Sequence, residues 1–298
     1  METVGKIADI IAALMKVRAE DITGVSILKK GMTNRSFLFT CNGEGYIIRI
    51  PGEGTERLID RRQEAEVYDV INHEGISDDV VYIDSAYGYK ISRFWENARV
   101  CDPFCETDVR RSMHRLRVFH HKEFQVKHEF DIFKQIQFYE NLWTDRQSVY
   151  QDYETVREKV LSLDGYIDRY IEQKVLSHID AVPHNFLFIK KEENNEEEIR
   201  LIDWEYAGMQ DPHVDIAMFC VYAMYDRKQV DKLIDLYFTE GCAREIRIKI
   251  YCYIAACGLL WSNWCEYKKQ LGVEFGEYAL AQYRFAKEYY QIARESMN

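Results

Sequence analysis

Apolar residues recur at Val4, Ile7, Ile11, Leu14 and Val17, with Lys6, Asp9, Lys16 and Arg18 between them. That spacing puts one apolar stripe on a helix, so Met1 to Glu20 is expected to be an amphipathic helix. The pattern then shortens to strand-like runs over Val25–Lys29, Ser36–Cys41 and Tyr46–Ile50. Turns are expected at Gly31–Asn34 and Asn42–Gly45. The second contains an Asn-Gly pair, which tolerates the positive φ of a tight hairpin. Ala65, Val67, Val70 and Ile71 mark a helix over Glu56–His73, and strands are expected at Val80–Ile83 and Tyr87–Phe94. From about Asp108 the pattern turns helical, with apolar faces over Val109–His121 and Tyr150–Lys174. Ser177–Asn185 interrupts it. Two strands follow, Phe186–Lys190 and Ile199–Ile202, around an acidic turn at Glu192–Glu198, and from about Asp215 the chain is helical and aromatic-rich. The order implies an α+β architecture: a small antiparallel sheet lobe over residues 1–95 and a larger, mainly helical lobe over residues 96–298.

Composition narrows this picture. With 298 residues, 47% of them hydrophobic, the chain can bury a sizeable core. The formal charge of -11 argues against a nucleic-acid partner, which needs a dense basic face, and suits a cationic substrate. The uncharged run Ile250 to Cys265 is short for a bilayer and fits a buried helix. No targeting segment or membrane insertion is expected, and the protein reads as cytoplasmic. Eight cysteines without a CxxC pair read as reduced, mostly buried thiols. An oligomer is compatible with the sequence but not indicated by it.

Candidate chemistry gathers in the interruption. Ser177-His-Ile-Asp-Ala-Val-Pro-His-Asn185 contains His178, Asp180 and Asn185, and Asp203 follows eighteen residues after Asn185. The hairpin between them returns Asn185 and Asp203 to one end. Phosphoryl transfer needs such a set: one carboxylate to accept the attacking hydroxyl's proton, and a second carboxylate with a neutral oxygen to hold Mg²⁺ on the nucleotide phosphates. Asp180 fits the first role, Asn185 and Asp203 the second. The bland alternative makes Asp180 a helix cap, Asn185 a turn end and Asp203 a surface carboxylate. It leaves unexplained why the hairpin and its Asp-Trp-Glu-Tyr fall where a phosphotransferase would place them.

The catalytic segment, the Ile-Asp-Trp-Glu-Tyr-Ala run and the trailing Asp-Pro-His-Val-Asp215-Ile-Ala resemble the choline/ethanolamine kinase family, in the aminoglycoside-phosphotransferase branch of the protein-kinase-like fold. The resemblance implies a two-lobed kinase in which residues 1–95 bind nucleotide. ATP and choline would be its substrates and Mg²⁺ its cofactor. Gly31-Met-Thr-Asn34 with Ser36 resembles the phosphate-covering loop, implying contacts from Thr33, Asn34 and Ser36. Arg49 matches the basic residue that engages the nucleotide phosphates, with Glu64 as its expected partner, and adenine is expected near Arg93, Phe94 and Trp95. His178 and Asp215 would order the catalytic loop.

Choline's quaternary ammonium cannot donate a hydrogen bond, so aromatic faces must recognise it. Trp261 and Trp264, three apart on a helix, and Tyr206 and Tyr225 match the family's choline cage, with Glu205 adjacent. Leu280 stands where the family carries an aromatic, and Tyr278 or Tyr283 is the substitute. Against this stands the ordinary reading of an aromatic stripe as core. His120-His121 reads as a polar helix end. The competing functions are an ethanolamine or aminoglycoside-type kinase and a catalytically inactive nucleotide-binding module.

Overall fold

The computed structural model describes residues 4–30, 34–52, 55–144, 147–191 and 196–298. The expected loop residues Gly31, Met32 and Thr33 and most of the acidic turn lie outside them. The described chain forms two compact units, one made of Met1–Val100 with Asn185–Tyr206 and the other of Cys101–His184 with Ala207–Asn298.

In the first unit, helix α1 (Val4–Met15) buries Ile7 and Ile11. The strands β1 (Ile22–Lys30), β2 (Asn34–Cys41), β3 (Glu44–Pro51), β4 (Val80–Ile83) and β5 (Lys90–Arg93) make an antiparallel sheet in the order β1-β2-β3-β5-β4. Ile7, Ile11, Phe37, Phe39, Ile48, Ile50 and Ile91 form the core beneath it. The β2–β3 hairpin turns at Asn42 and Gly43, with φ of 52° and 80°, as the Asn-Gly pair demands. Helix α2 (Arg61–Ile71) starts later than expected, because the Asp60 side chain accepts from the Arg62 N–H and caps it there. β5 is likewise shorter than the expected strand. The Asp84 carboxylate captures the N–H groups of Ala86 and Tyr87 and holds the preceding residues as a turn. A second sheet joins β6 (Ala98–Val100) to the hairpin of β8 (Phe186–Lys190) and β9 (Glu197–Leu201) in the order β6-β8-β9.

The second unit is mainly helical. It contains α3 (Glu106–His120), α4 (Ile132–Leu142), α5 (Tyr153–Leu161), α6 (Asp164–Arg169), α7 (His213–Tyr222), α8 (Arg227–Tyr237), α9 (Arg244–Gln270) and α10 (Glu277–Met297). The short strands β7 (Val175–Ser177) and β10 (Gly208–Gln210) pair antiparallel. The stretch expected as one helix over Tyr150–Lys174 is two, broken where the Ser162 hydroxyl bonds back to the Lys159 carbonyl. α4 and the three-residue strands escaped the sequence reading. Three residues are too few to show a strand's alternation. α9 is buried over most of its length, as its uncharged run implied. It packs closely on α10 at Gly258, where a Cβ would come within 2.7 Å of the Gln282 carbonyl oxygen. No described helix is long and apolar enough to cross a membrane. All eight cysteines are free thiols, six of them buried.

Candidate active site

In the first unit, strand β3 presents Arg49 to α2. Its guanidinium donates to both oxygens of Glu64, at 2.5 and 2.7 Å, and both residues are buried. Two N–H groups on one edge of a planar cation match two carboxylate oxygens, so position and charge are fixed together. Arg61 Nη1 bonds the same Glu64 at 2.9 Å and Glu205 at 2.9 Å. Asn34 completes the ring, donating to Glu205 at 2.8 Å and accepting from Arg61 at 3.0 Å. Arg49 also lies 3.5 Å from Asp203 Oδ1 and 3.5 Å from Glu205.

The charges in this ring do not balance evenly. Burial works against ionisation of Glu64, but the charge and hydrogen bonds of Arg49 outweigh it and hold the carboxyl down at about 2. Burial, together with the neighbouring charge of Asp203, pushes Glu205 up to about 7, against the pull of Arg49 and Arg61.

Asp203 follows β9 with φ of 69° and a side chain 38% exposed. The Ile202 N–H donates to the Asn185 carbonyl at 2.9 Å, so the hairpin does bring residues 185 and 202–203 to the same end. Trp204, fully buried, donates its indole N–H to the Leu201 carbonyl and pins the segment. Ser36 stands opposite Arg49 in the β2–β3 ladder. Arg93 is exposed and pairs with Glu44 at 3.1 Å, the Phe94 ring lies against Gly45, and the Arg200 guanidinium stacks over Trp95 at 5.9 Å.

The sequence reading missed Arg61 and a second buried network beside Arg49. Lys90, opposite Arg49 in the β3–β5 ladder, bonds Asp78 at 2.8 Å and Tyr68 at 2.5 Å, and Tyr68 donates to Asp78. α2 is thus attached by two buried polar clusters, one turn apart.

In the second unit, Asp215 on α7 organises the loop after β7. Its carboxylate accepts from the N–H of His178 at 2.8 Å and of Ile179 at 2.7 Å. Ile179 has φ of 68°, a costly backbone state for a β-branched residue, and these two bonds hold it there. His120, at the end of α3, is a buried bridge rather than a surface cap. Its Nε2 lies 3.0 Å from Asp215 and its Nδ1 2.7 Å from the Tyr237 hydroxyl. A carboxylate only accepts, so Nε2 carries a proton towards Asp215. His178 is fully buried and Asp180 half-buried.

A row of rings runs through the second unit. Trp261 meets Trp264 edge-on at 5.6 Å, Trp264 meets Phe275 at 5.2 Å, Phe275 meets Tyr278 at 6.4 Å, and Tyr278 meets Tyr222 at 6.1 Å. Tyr222 in turn lies edge-on to His184 at 5.5 Å. Burial, and then the charge of Asp180, push the Tyr222 hydroxyl above its ordinary range. Burial dominates the same rise at Tyr278, with Asp180 contributing. Asp180 is therefore an electrostatic neighbour of both tyrosines. Trp261 donates to the Met218 sulfur at 3.1 Å, whereas the buried Trp264 N–H has no hydrogen-bond partner among the described residues.

Tyr225 is placed elsewhere. Its ring packs on Phe219 and Phe104, and its hydroxyl bonds the Pro103 carbonyl. Of the two substitutes for Leu280, Tyr278 joins the row, while Tyr283 stacks on Tyr150 at 3.8 Å and bonds Asp152. Glu205 and Tyr206 belong to the first unit, Glu205 within its arginine ring. Sequence spacing missed Tyr222 and Phe275, although Tyr222 lies only three residues before Tyr225.

A sheet with a buried Arg–Glu pair to one helix, and a helical unit whose loop is held by a buried aspartate, define a phosphotransferase of the kinase-like fold. The chain belongs to the choline/ethanolamine kinase family, whose profile matches residues 25–239. It is 27% identical over 266 residues to protein LicA of Haemophilus influenzae, covering 84% of this chain and 75% of that protein. Among solved structures it is similar to the choline kinase LicA from Streptococcus pneumoniae, with a TM-score of 0.82 and 27% identity over 96% of this chain and 98% of that one. A structure of LicA in complex with AMP matches with a TM-score of 0.83 and 26% identity, over 98% and 100% of the two chains.

Proposed function

We propose that this protein is an ATP-dependent choline kinase that transfers the γ-phosphoryl group of ATP to the choline hydroxyl, giving phosphocholine and ADP. The observation that carries the reading is the row of aromatic rings beginning beside Asp180. A quaternary ammonium offers no N–H, so π faces and exclusion of water are what can hold it, and a carboxylate at the end of the row meets the hydroxyl. The similarity to LicA proteins supports the same substrate.

Asp180 accepts the hydroxyl proton as the oxygen attacks the γ-phosphorus and the bond to the β-phosphate oxygen breaks, releasing ADP. Asp215, bonding the loop's two N–H groups, keeps Asp180 in place without touching the reacting atoms. Arg49, held by Glu64, offers fixed positive charge to the phosphates, with Asn34 and Ser36 beside it on β2. Thr33 has the same role in this reading but lies outside the described residues. The adenine stays assigned to Arg93, Phe94 and Trp95.

Asn185 and Asp203 suit Mg²⁺. Both donors are oxygen, as a hard cation requires, and the Asp203 side chain is 38% exposed, open to an ion. The ion, when bound, neutralises charge on the nucleotide phosphates. ATP as co-substrate and eight free thiols fit a cytoplasmic location.

The test is a substitution series at Trp264, read by ADP release and melting temperature. Trp264→Ala should raise the choline KM about tenfold or more and leave the ATP KM nearly unchanged. Phe should restore more than Leu, because only Phe keeps a π face. Equal rescue by Leu and Phe, with the loss appearing as a lower melting temperature, would mean that the rings are only core.

A further inference from the structure

We propose that Arg61 is a positioning residue for the phosphate end of the nucleotide: it holds the Glu205 carboxylate away from Arg49, so that the charge of Arg49 stays available to the phosphates. The inference rests on the kinase reading, in which Arg49 meets those phosphates, and deepens it. Arg61 opens α2 and is only 8% exposed. Its Nη1 donates to Glu205 Oε2 and to Glu64 Oε2, each at 2.9 Å, and its Nη2 donates to the Asn34 side-chain oxygen at 3.0 Å. Asn34 in turn donates to the same Glu205 oxygen at 2.8 Å. The turn before β5 passes against the arginine's stem at Gly88, where φ is 74° and a Cβ would come within 2.7 Å of Arg61 Cδ.

Glu205 is what this side chain has to control. Its carboxylate is buried, and the oxygen held by Arg61 and Asn34 lies 3.5 Å from Arg49 Nη1, just beyond a good hydrogen bond. Glu64 already takes a bond from each Nη of Arg49. Asp203 is equally near but exposed enough for water to screen it. A buried carboxylate that loses its cation is strongly disfavoured, and for Glu205 the neighbouring cation is Arg49. Closing that gap would set a second carboxylate on the guanidinium, in direct competition with a phosphate oxygen for the same N–H groups and charge. Arg61 prevents this by giving Glu205 a cation of its own, while Glu64 keeps both of its bonds to Arg49.

The test follows ATP binding by calorimetry without Mg²⁺ or choline, so that no turnover enters, with melting temperatures alongside. Arg61→Gln keeps an N–H for Glu205 and removes the charge. It should weaken ATP binding about tenfold or more, the scale of one charge-assisted hydrogen bond. Combining Arg61→Gln with Glu205→Gln removes the competing carboxylate as well, and ATP affinity should return to within about threefold of the wild type. A merely structural arginine would not be rescued by removing its partner. A folded Arg61→Gln protein with wild-type affinity would overturn the proposal, and so would a double variant that binds ATP no better than the single one. If Arg61→Gln does not fold, the double variant decides alone, and a loss of about tenfold or more there overturns the proposal. Arg49→Met is the control. Undiminished ATP affinity in that variant would remove Arg49 as the phosphate contact and the proposal with it, whereas failure of the Arg61 variants alone leaves the kinase reading standing.

Discussion

The side chain most exposed to test is Asp180. It is half-buried and an electrostatic neighbour of Tyr222 and Tyr278. Asp180→Asn should lower kcat by about a hundredfold or more while ATP binding, followed by calorimetry, stays close to normal. Near-normal turnover of the folded variant would take Asp180 out of the mechanism. At this scale, legibility depended on whether partners are near in sequence or belong to a recognisable motif. The Arg49–Glu64 contact was named because both positions fall in a known pattern. Lys90 and His120 were not, because their partners Asp78 and Asp215 are brought to them only by the fold, and Arg61, although three residues from Glu64, reaches Glu205 only through the fold. Tyr225 stands apart from the row of rings for a local reason. α7 ends at Tyr222, and Met224 with φ of 53° turns the chain, so the later tyrosine points to Phe104 and the earlier one keeps the helix face.

Among elements, those with long periodic patterns were legible and those set by a single polar residue were not. α1, β2, β3 and α9 follow their hydrophobic spacing, whereas the start of α2 and the start of β5 are decided by Asp60 and Asp84. The α9–α10 pair gives a test of packing at this level. Gly258→Ala should gain about 1 kcal/mol of helix propensity. The added methyl, however, meets backbone atoms of α10 at 2.7 and 2.8 Å, and overpacking of this kind costs about 1–3 kcal/mol. The clash should win, so chemical denaturation should show a net loss of up to about 2 kcal/mol. A stabilised variant would show that α10 yields easily.

For the molecule as a whole, part of the acid sensitivity belongs to a definite pair. Lys249 and Asp211 are each 1% exposed and lie 2.5 Å apart, with His213 3.1 Å from the same carboxylate. Burial opposes the charge on Asp211, but His213 and Lys249 outweigh it and bring the carboxyl from 3.8 down to about 2. A carboxyl lowered by folding contributes stability that is full above its unfolded value and lost as pH falls towards its folded one. Asp211→Asn should therefore cost about 3–5 kcal/mol near neutral pH by leaving a buried lysine unpaired. Its deficit against the wild type should shrink between about pH 4 and pH 2. A deficit that stays constant through that window would remove Asp211 from the groups that make the fold acid-sensitive.

The hairpin of β8 and β9 has a consequence for the order in which the chain can fold. It belongs to the first unit, where β6 pairs with β8 and the Leu201 N–H bonds the Ile76 carbonyl, yet 84 residues of the other unit, Cys101 to His184, come before it. As the polypeptide leaves the ribosome, the opening hundred residues can form α1 and their five-stranded sheet, but β6 waits as an unpaired edge. Only after most of the helical unit's first half has emerged can that edge be closed. The nascent chain must carry an open strand through that interval, which makes this edge the place where a chaperone or a misplaced strand of another chain can intervene.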